Sequence, residues 1–161
     1  MANATTNLSF SAIVTAATIT LTLVATIKNL EASDTVLTKL NLTGNTVSNT
    51  LTGMHANILN GGLGADTLRG GWGNDGLTGG IGADVFQWSL AGKGVIGIPS
   101  VDRVLDFNNS EDVLNLRDLL QGETVDNIAN YLDIVTSTSS GVTSTEIRIS
   151  SNGEFTNGNC S

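Results

Sequence analysis

The sequence predicts an all-β protein built around a short stack of repeats. Glycine, threonine, asparagine and serine are abundant, which is typical of short strands joined by tight turns. Thr18–Thr22 alternates polar and apolar side chains with the period of a β-strand. Residues 61–87 consist of one nine-residue pattern that occurs three times in succession. Aromatic residues make up only 4% of the chain, so we do not expect a core built on rings.

The charge of the chain favours a small cationic partner. Fifteen acidic residues outnumber seven basic ones, and the formal net charge is −8. Non-specific binding to nucleic acid or to an anionic membrane needs a basic face, so both are disfavoured. A metal ion is the smallest cation that fits. With 40% hydrophobic and 14% charged residues, the chain does not have the composition of a disordered protein.

The N-terminal segment, residues 1–43, is predicted to form β-strands that lead into the repeats. Its apolar stretch, residues 10–27, resembles a signal peptide only superficially, because no basic residue precedes Lys28. Threonines interrupt it throughout, and the alternation at Thr18–Thr22 also disfavours a transmembrane helix. We therefore expect neither a classical N-terminal export signal nor a membrane span in this segment.

The three repeats share the pattern G-G-x-G-x-D-x-U-x, where U is a large apolar residue. Glycine permits backbone conformations with positive φ, which let carbonyl groups turn toward a common centre. Each aspartate adds a hard anionic oxygen, and calcium takes six to eight oxygen ligands in irregular geometry. One repeat cannot complete such a shell, whereas stacked copies can. The repeats therefore predict calcium binding, with the aspartates Asp66, Asp75 and Asp84 as ligands.

The apolar position of each repeat predicts a narrow core. It follows the aspartate by two residues, so it lies on the same side of a strand. We expect Leu68, Leu77 and Phe86 to stack on one another. Two degenerate copies lie upstream, one at Asn49–Leu51 and one at Asn57–Leu59. Asparagine supplies an oxygen without charge, so calcium binding there should be weaker.

These repeats resemble the hemolysin-type (RTX) calcium-binding repeat. The resemblance implies a right-handed parallel β-roll in which two nonapeptides make one coil and consecutive turns lie on opposite sides. It implies that Asp66 and Asp84 share one ion, and that Asp75 lies on the other side, opposite Asn57, in a weaker or incomplete site. Backbone carbonyls of the glycine-rich turns would complete the shells. The residues predicted to bind metal are Asp66, Asp75, Asp84, Gly62, Gly64, Gly71, Gly73, Gly80 and Gly82.

The region after the repeats is predicted to cap them. Residues 101–120 look like the block that follows the repeats in large RTX adhesins and related type I secretion substrates, where it precedes the export signal. A short helix is expected at about Val125–Leu132, and a last strand at Thr143–Ser150. Family chains usually run on further, so we expect this region to be truncated. The predicted domains are an N-terminal β segment (1–43), the roll (44–87), a linker (88–100) and the cap (101–161).

Three further aspartates, Asp102, Asp106 and Asp112, leave two interpretations open. They are either solvated strand-edge charges paired with nearby arginines, which contribute little, or additional calcium ligands. Trp72 and Trp88 are interpreted as covers for the roll, with a sugar-binding platform as the alternative.

No enzymatic activity is predicted. The chain has no metalloprotease, serine hydrolase or P-loop motif. Its single histidine, His55, and its single cysteine, Cys160, are far apart in sequence and suggest no nucleophile–base pair.

The predicted function is calcium-dependent folding of the C-terminal part of a secreted bacterial RTX protein. This makes calcium the expected cofactor, the type I secretion machinery a candidate partner, and the extracellular space or cell surface the expected location. The alternative is an adhesin-type interaction module that binds a host or surface ligand through its β face. The threonine-rich strands between residues 12 and 26 motivate it.

Overall fold

The computed structural model describes residues 7–9, 19–31, 40–89, 100–118, 132–139 and 142–150. Within these ranges the structure is all-β, and it contains no helix that could span a membrane. Residues 125–131 of the predicted helix lie outside the described ranges. Its last residue, Leu132, begins a strand instead.

Short strands account for all the regular structure in these ranges. They alternate buried and partly exposed side chains, as in the buried–intermediate pattern of Leu40–Thr43, because one face of each strand packs on the core. In chain order they are β1 (Asn7–Ser9), β2 (Ile19–Thr22), β3 (Asn29–Glu31), β4 (Leu40–Thr43), β5 (Thr50–Thr52), β6 (Ile58–Leu63), β7 (Thr67–Arg69), β8 (Gly76–Ile81), β9 (Val85–Gln87), β10 (Val101–Val104), β11 (Val113–Asn115), β12 (Leu132–Ser139) and β13 (Val142–Ser150).

The strands form two sheets that alternate along the chain. One sheet has the order β1-β3-β5-β7-β9-β11, and the other has the order β12-β13-β10-β8-β6-β4-β2. All pairs in the first sheet are parallel, and so are those from β2 to β10 in the second. From β1 to β11, successive strands thus belong to opposite sheets, and each of the strands β1 to β9 pairs with the next-but-one strand. This is a parallel β-solenoid, as the repeats predicted.

The core contains two columns of apolar side chains, one on each sheet. Register places Leu68 next to Phe86 in the first sheet, whereas Leu77 belongs to the second, and all three are fully buried. The predicted core is therefore confirmed, with Leu77 contributed by the opposing sheet. The apolar column of the first sheet is Leu30, Leu51, Leu68, Phe86 and Leu114, and that of the second sheet is Leu21, Leu42, Leu59, Leu77 and Val104.

An antiparallel hairpin ends the second sheet. β13 pairs with β10 and with β12, and both pairings are antiparallel. The last strand predicted at Thr143–Ser150 is thus observed as β13, one residue longer at its start. The division of the chain into domains at residues 43, 87 and 100 stays a prediction.

Candidate metal centre

The repeat aspartates, Asp66, Asp75 and Asp84, are buried where each strand begins. On one side of the solenoid, Oδ1 of Asp66 accepts the backbone N–H of Asn49 at 2.7 Å, and Oδ1 of Asp84 accepts that of Asp66 at 2.8 Å. The series continues at Asp112, whose Oδ1 accepts the backbone N–H of Asp84 at 2.9 Å. We call this series, which is Asn49, Asp66, Asp84 and Asp112, the first ladder.

A second ladder lies on the other side of the solenoid and contains Asn57, Asp75 and Asp102. Oδ1 of Asp75 accepts the backbone N–H of Asn57 at 2.6 Å, and Oδ1 of Asp102 accepts that of Asp75 at 2.9 Å. The structure thus brings Asp66 and Asp84 together on one side and places Asp75 on the other, in the arrangement that the resemblance implied.

The second oxygen of each repeat aspartate has no donor. Among the described residues, Oδ2 of Asp66, Asp75 and Asp84 is buried and accepts no hydrogen bond. A buried carboxylate without compensation is strongly disfavoured, so an oxygen of this kind needs a cation or a proton. The described part of the chain contains no group of three or more acidic, histidine or cysteine side chains that could hold a metal ion. Hard carboxylate and carbonyl oxygens are the donors that calcium takes.

The first glycine of each repeat makes room for this oxygen. A Cβ atom at Gly61, Gly70 or Gly79 would collide with Oδ2 of the aspartate five residues later in the same repeat. None of these glycines has positive φ, so the requirement for glycine is one of space. The first glycine of each repeat therefore keeps the space around the carboxylate free of another side chain.

The other two glycines of each repeat have a different role. Gly62 and Gly64 have φ values of 103° and 110°, a region that favours glycine. Their carbonyl oxygens lie directly against Gly80 and Gly82, which occupy the same positions in the next repeat on that side. The turns beside Asp66 and Asp84 therefore stack with backbone oxygens between them. Positive φ is shared by all six predicted turn glycines, which are Gly62, Gly64, Gly71, Gly73, Gly80 and Gly82.

Burial favours the protonated forms of these carboxyl groups. It raises the pKa of Asp66 to about 6, and the neighbouring carboxylate of Asp84 adds to the rise. It also raises the pKa of Asp84. Burial and the adjacent Asp102 carboxylate raise the pKa of Asp75 to about 9. Each carboxyl group thus holds a proton more tightly than in water unless another positive charge replaces that proton.

The downstream aspartates are not equivalent to one another. Asp102 is 1% exposed, so its interpretation as a solvated strand-edge charge is wrong. Asp112 is partly buried on the first ladder, and Asp106 is exposed.

The signal that could have placed Asp102 and Asp112 on the ladders is the spacing D-x-U, since Val104 and Leu114 follow by two residues. Sequence reasoning missed it because the glycines of the repeat are absent there.

Comparison with protein families agrees with this geometry. Residues 51–86 match the model of the RTX calcium-binding nonapeptide repeat, described as four copies. Residues 51–86 are RTX repeats. The match takes in the degenerate copy at Asn57–Leu59 as well as the intact repeats. The RTX repeats imply calcium binding, and both ladders run through them. A search of curated proteins found no match.

The remaining candidate residues have separate places. Trp88 is buried at the end of the core after the RTX repeats, whereas Trp72 is 48% exposed. His55 is partly buried in the turn that precedes Asn57. Cys160 lies outside the described residues.

Thr20 and Thr22 of β2 point outward, which the hypothesis of an interaction module requires. An outward row does not identify a ligand, so that hypothesis stays a prediction.

Proposed function

We propose that the RTX repeats form a calcium-dependent folding module of a secreted protein. The observation that carries the proposal is the set of three buried Oδ2 atoms, one on each repeat aspartate, that accept no hydrogen bond within the described structure. Each of these oxygens lies beside a glycine, and the absence of a side chain there leaves room for the oxygen. A bound cation would satisfy these oxygens.

Asp66 and Asp84 would hold one ion on the first ladder. Both side chains belong to adjacent coils and are 1% exposed. The carbonyl oxygens of Gly62 and Gly64, with those of Gly80 and Gly82, would complete its shell, because calcium accepts a mixture of carboxylate and carbonyl ligands. On the second ladder Asp75 has a neutral neighbour upstream, Asn57, so calcium should bind more weakly there.

Calcium would stabilise the folded state by binding to it alone. The stabilisation grows as RT ln(1 + [Ca²⁺]/Kd), and extracellular calcium modules typically have Kd values on the order of 10⁻⁴ to 10⁻³ M. Without the ion, folding must bury carboxylates whose pKa values are raised, such as that of Asp66 at about 6. A narrow core, with twelve buried apolar side chains among the described residues, does little to offset this cost and the chain entropy.

The proposed setting is extracellular, because millimolar calcium outside the cell would fold a module that stays loose inside it. The net charge of −8 and the resemblance to type I secretion substrates support this setting. The proposal assigns no catalysis to the chain.

The test is a calcium titration of metal-free protein, followed by calorimetry and by circular dichroism. We expect saturable binding and a gain of β signal. Asp66→Asn with Asp84→Asn should abolish binding on the first ladder, since each substitution keeps the Oδ1 acceptor and removes the charge. Asp118→Asn is the control for each single substitution, because it removes one negative charge outside both ladders. Folding that is equally cooperative in excess chelator would contradict the proposal.

A further inference from the structure

Three carboxylates downstream of the RTX repeats, those of Asp102, Asp106 and Asp112, are satisfied in a way that the repeat aspartates are not. Asp102 uses both of its oxygens: Oδ1 accepts the backbone N–H of Asp75 at 2.9 Å, and Oδ2 accepts the indole Nε1–H of Trp88 at 2.6 Å. Asp102 and Trp88 are 1% and 5% exposed. The indole therefore reaches the oxygen that corresponds to the unsatisfied Oδ2 of the repeat aspartates.

The same arrangement ends the first ladder. Asp112 accepts the backbone N–H of Asp84 with Oδ1 at 2.9 Å, and that of Asn108 with Oδ2 at 2.8 Å. Asp106 does not lie on a ladder, but its two oxygens accept the N–H groups of Gly79 and Gly80, each at 2.8 Å. Protein N–H groups thus satisfy both oxygens of Asp102, Asp106 and Asp112.

The upstream ends of the ladders also have protein partners. The side-chain oxygen of Asn49 accepts the backbone N–H of Asn45 at 2.8 Å, and its Nδ2 donates to the carbonyls of Ile27 and Lys28 at 3.2 and 3.3 Å. Asn57 accepts the backbone N–H of Leu40 at 3.1 Å. Unsatisfied carboxylate oxygens on the described ladders are therefore confined to the three repeat aspartates.

We propose that the terminal coil, residues 100–116, closes both ladders with protein N–H donors in place of cations, and that Trp88 is the positioning residue that does so at Asp102. The Trp88–Asp102 contact anchors the backbone of Asp75 without making Asp102 a metal ligand. Cation binding then ends at Asp75 on the second ladder and at Asp84 on the first. The assignment of calcium to these sites rests on the proposed function.

The first test counts bound calcium ions by calorimetry and equilibrium dialysis at saturating calcium. Asp75→Asn should lose one ion relative to the unsubstituted protein, whereas Asp102→Asn should keep the full number. If Asp102→Asn does not fold alone, the double variant Trp88→Phe/Asp102→Asn replaces both partners and leaves no unpaired charge. Its ion count should also be unchanged. A loss of one ion in either Asp102 variant would overturn the inference, because Asp102 would then be a ligand.

The second test is a double-mutant cycle of urea unfolding with Trp88→Phe, Asp102→Asn and the double variant. It needs no bound ion, so it decides the inference even if the protein binds no calcium and the proposed function fails. We expect each single substitution to raise the equilibrium constant for unfolding by roughly tenfold or more. The second substitution should then add far less than the first. If the two substitutions have additive effects on the free energy of unfolding, the role of the Trp88 N–H is overturned, because a loss of packing alone would not depend on Asp102.

Discussion

The backbone N–H of Asp66 donates a 2.8 Å hydrogen bond to Oδ1 of Asp84, which lies 18 residues further along the chain. Oδ2 of the same Asp84 side chain is buried and accepts no hydrogen bond within the described structure. One carboxylate thus ties two coils together with one oxygen, and the other oxygen is the one that would bind calcium under the proposed function. Asparagine can perform the first task, but it would bind a cation more weakly because it lacks the charge.

Substitution of the first glycine in a repeat should damage the proposed metal site directly. Gly79→Ala places a Cβ atom against Oδ2 of Asp84, so we expect a loss of calcium affinity and a destabilisation of about 1–3 kcal/mol. Gly76→Ala is the control, since its Cβ would meet only Cδ1 of Leu105, at 3.9 Å. That variant should be neutral or slightly more stable, by at most about 1 kcal/mol. Calorimetric titration and urea unfolding check both, and equal effects of the two substitutions would contradict the argument.

The adjacent residues Ile58 and Leu59 of β6 should differ sharply in their contribution to stability. Leu59 is fully buried in the apolar core, whereas Ile58 is 47% exposed. Leu59→Ala should lower the free energy of unfolding by about 2–5 kcal/mol. Ile58→Ala should cost less than about 1 kcal/mol. Urea unfolding in saturating calcium measures both, and comparable costs would mean that the alternation of the strand is not as described.

A new carboxylate at Asn57 should increase the dependence on calcium. Asn57 is 2% exposed and neighbours Asp75 on the second ladder, so Asn57→Asp buries a second negative charge there. In chelator the melting temperature should fall, because a carboxylate without a counter-charge costs about 1–3 kcal/mol or more. In calcium it should recover, since the ion would gain a charged ligand.

The relevant measurement for Asn57→Asp is the difference between the melting temperatures with calcium and with chelator. It should exceed that of the unsubstituted protein. Asn60→Asp, at an exposed position of β6, controls for the added charge and should leave the difference unchanged. An unchanged difference in Asn57→Asp would contradict a cation site on the second ladder.

Without metal, the stability of the folded state should fall as the pH rises. The pKa values of Asp66 and Asp75 are raised from 3.8 to about 6 and about 9, so the folded state binds protons more tightly than the unfolded state. The resulting stabilisation is complete below pH 4 and decreases as the pH rises through 6 and toward 9. Calcium competes with these protons, so its apparent affinity should rise over the same range.

Thermal unfolding at pH 5 and pH 8 tests this pH dependence. Metal should be removed with a chelating resin, because the affinity of a soluble chelator itself changes with pH. The melting temperature should be higher at pH 5 in metal-free buffer, and calcium should raise it more at pH 8 than at pH 5. A metal-free melting temperature that increases toward pH 8 would show that the repeat aspartates are not held in a protonating environment.

The sequence by itself determined the parts that depend on the nine-residue period. The period assigns Asp66, Asp75 and Asp84 to equivalent positions and turns Leu68, Leu77 and Phe86 inward, because covalent spacing decides which side of a strand a residue occupies. It also identified the glycine turns. These features are local, so they can be predicted without knowing where the chain goes next.

Only the tertiary structure decided how the ladders end. Asp102 contacts Asp75 across 27 residues, and its other oxygen accepts the Trp88 indole N–H. Asp112 reaches Asp84 across 28 residues, whereas the spacing within the repeats is 18. Such pairs depend on the path of an intervening segment that no period constrains. That path decides whether both oxygens of a carboxylate meet protein N–H groups, so the limits of the proposed metal site follow from packing.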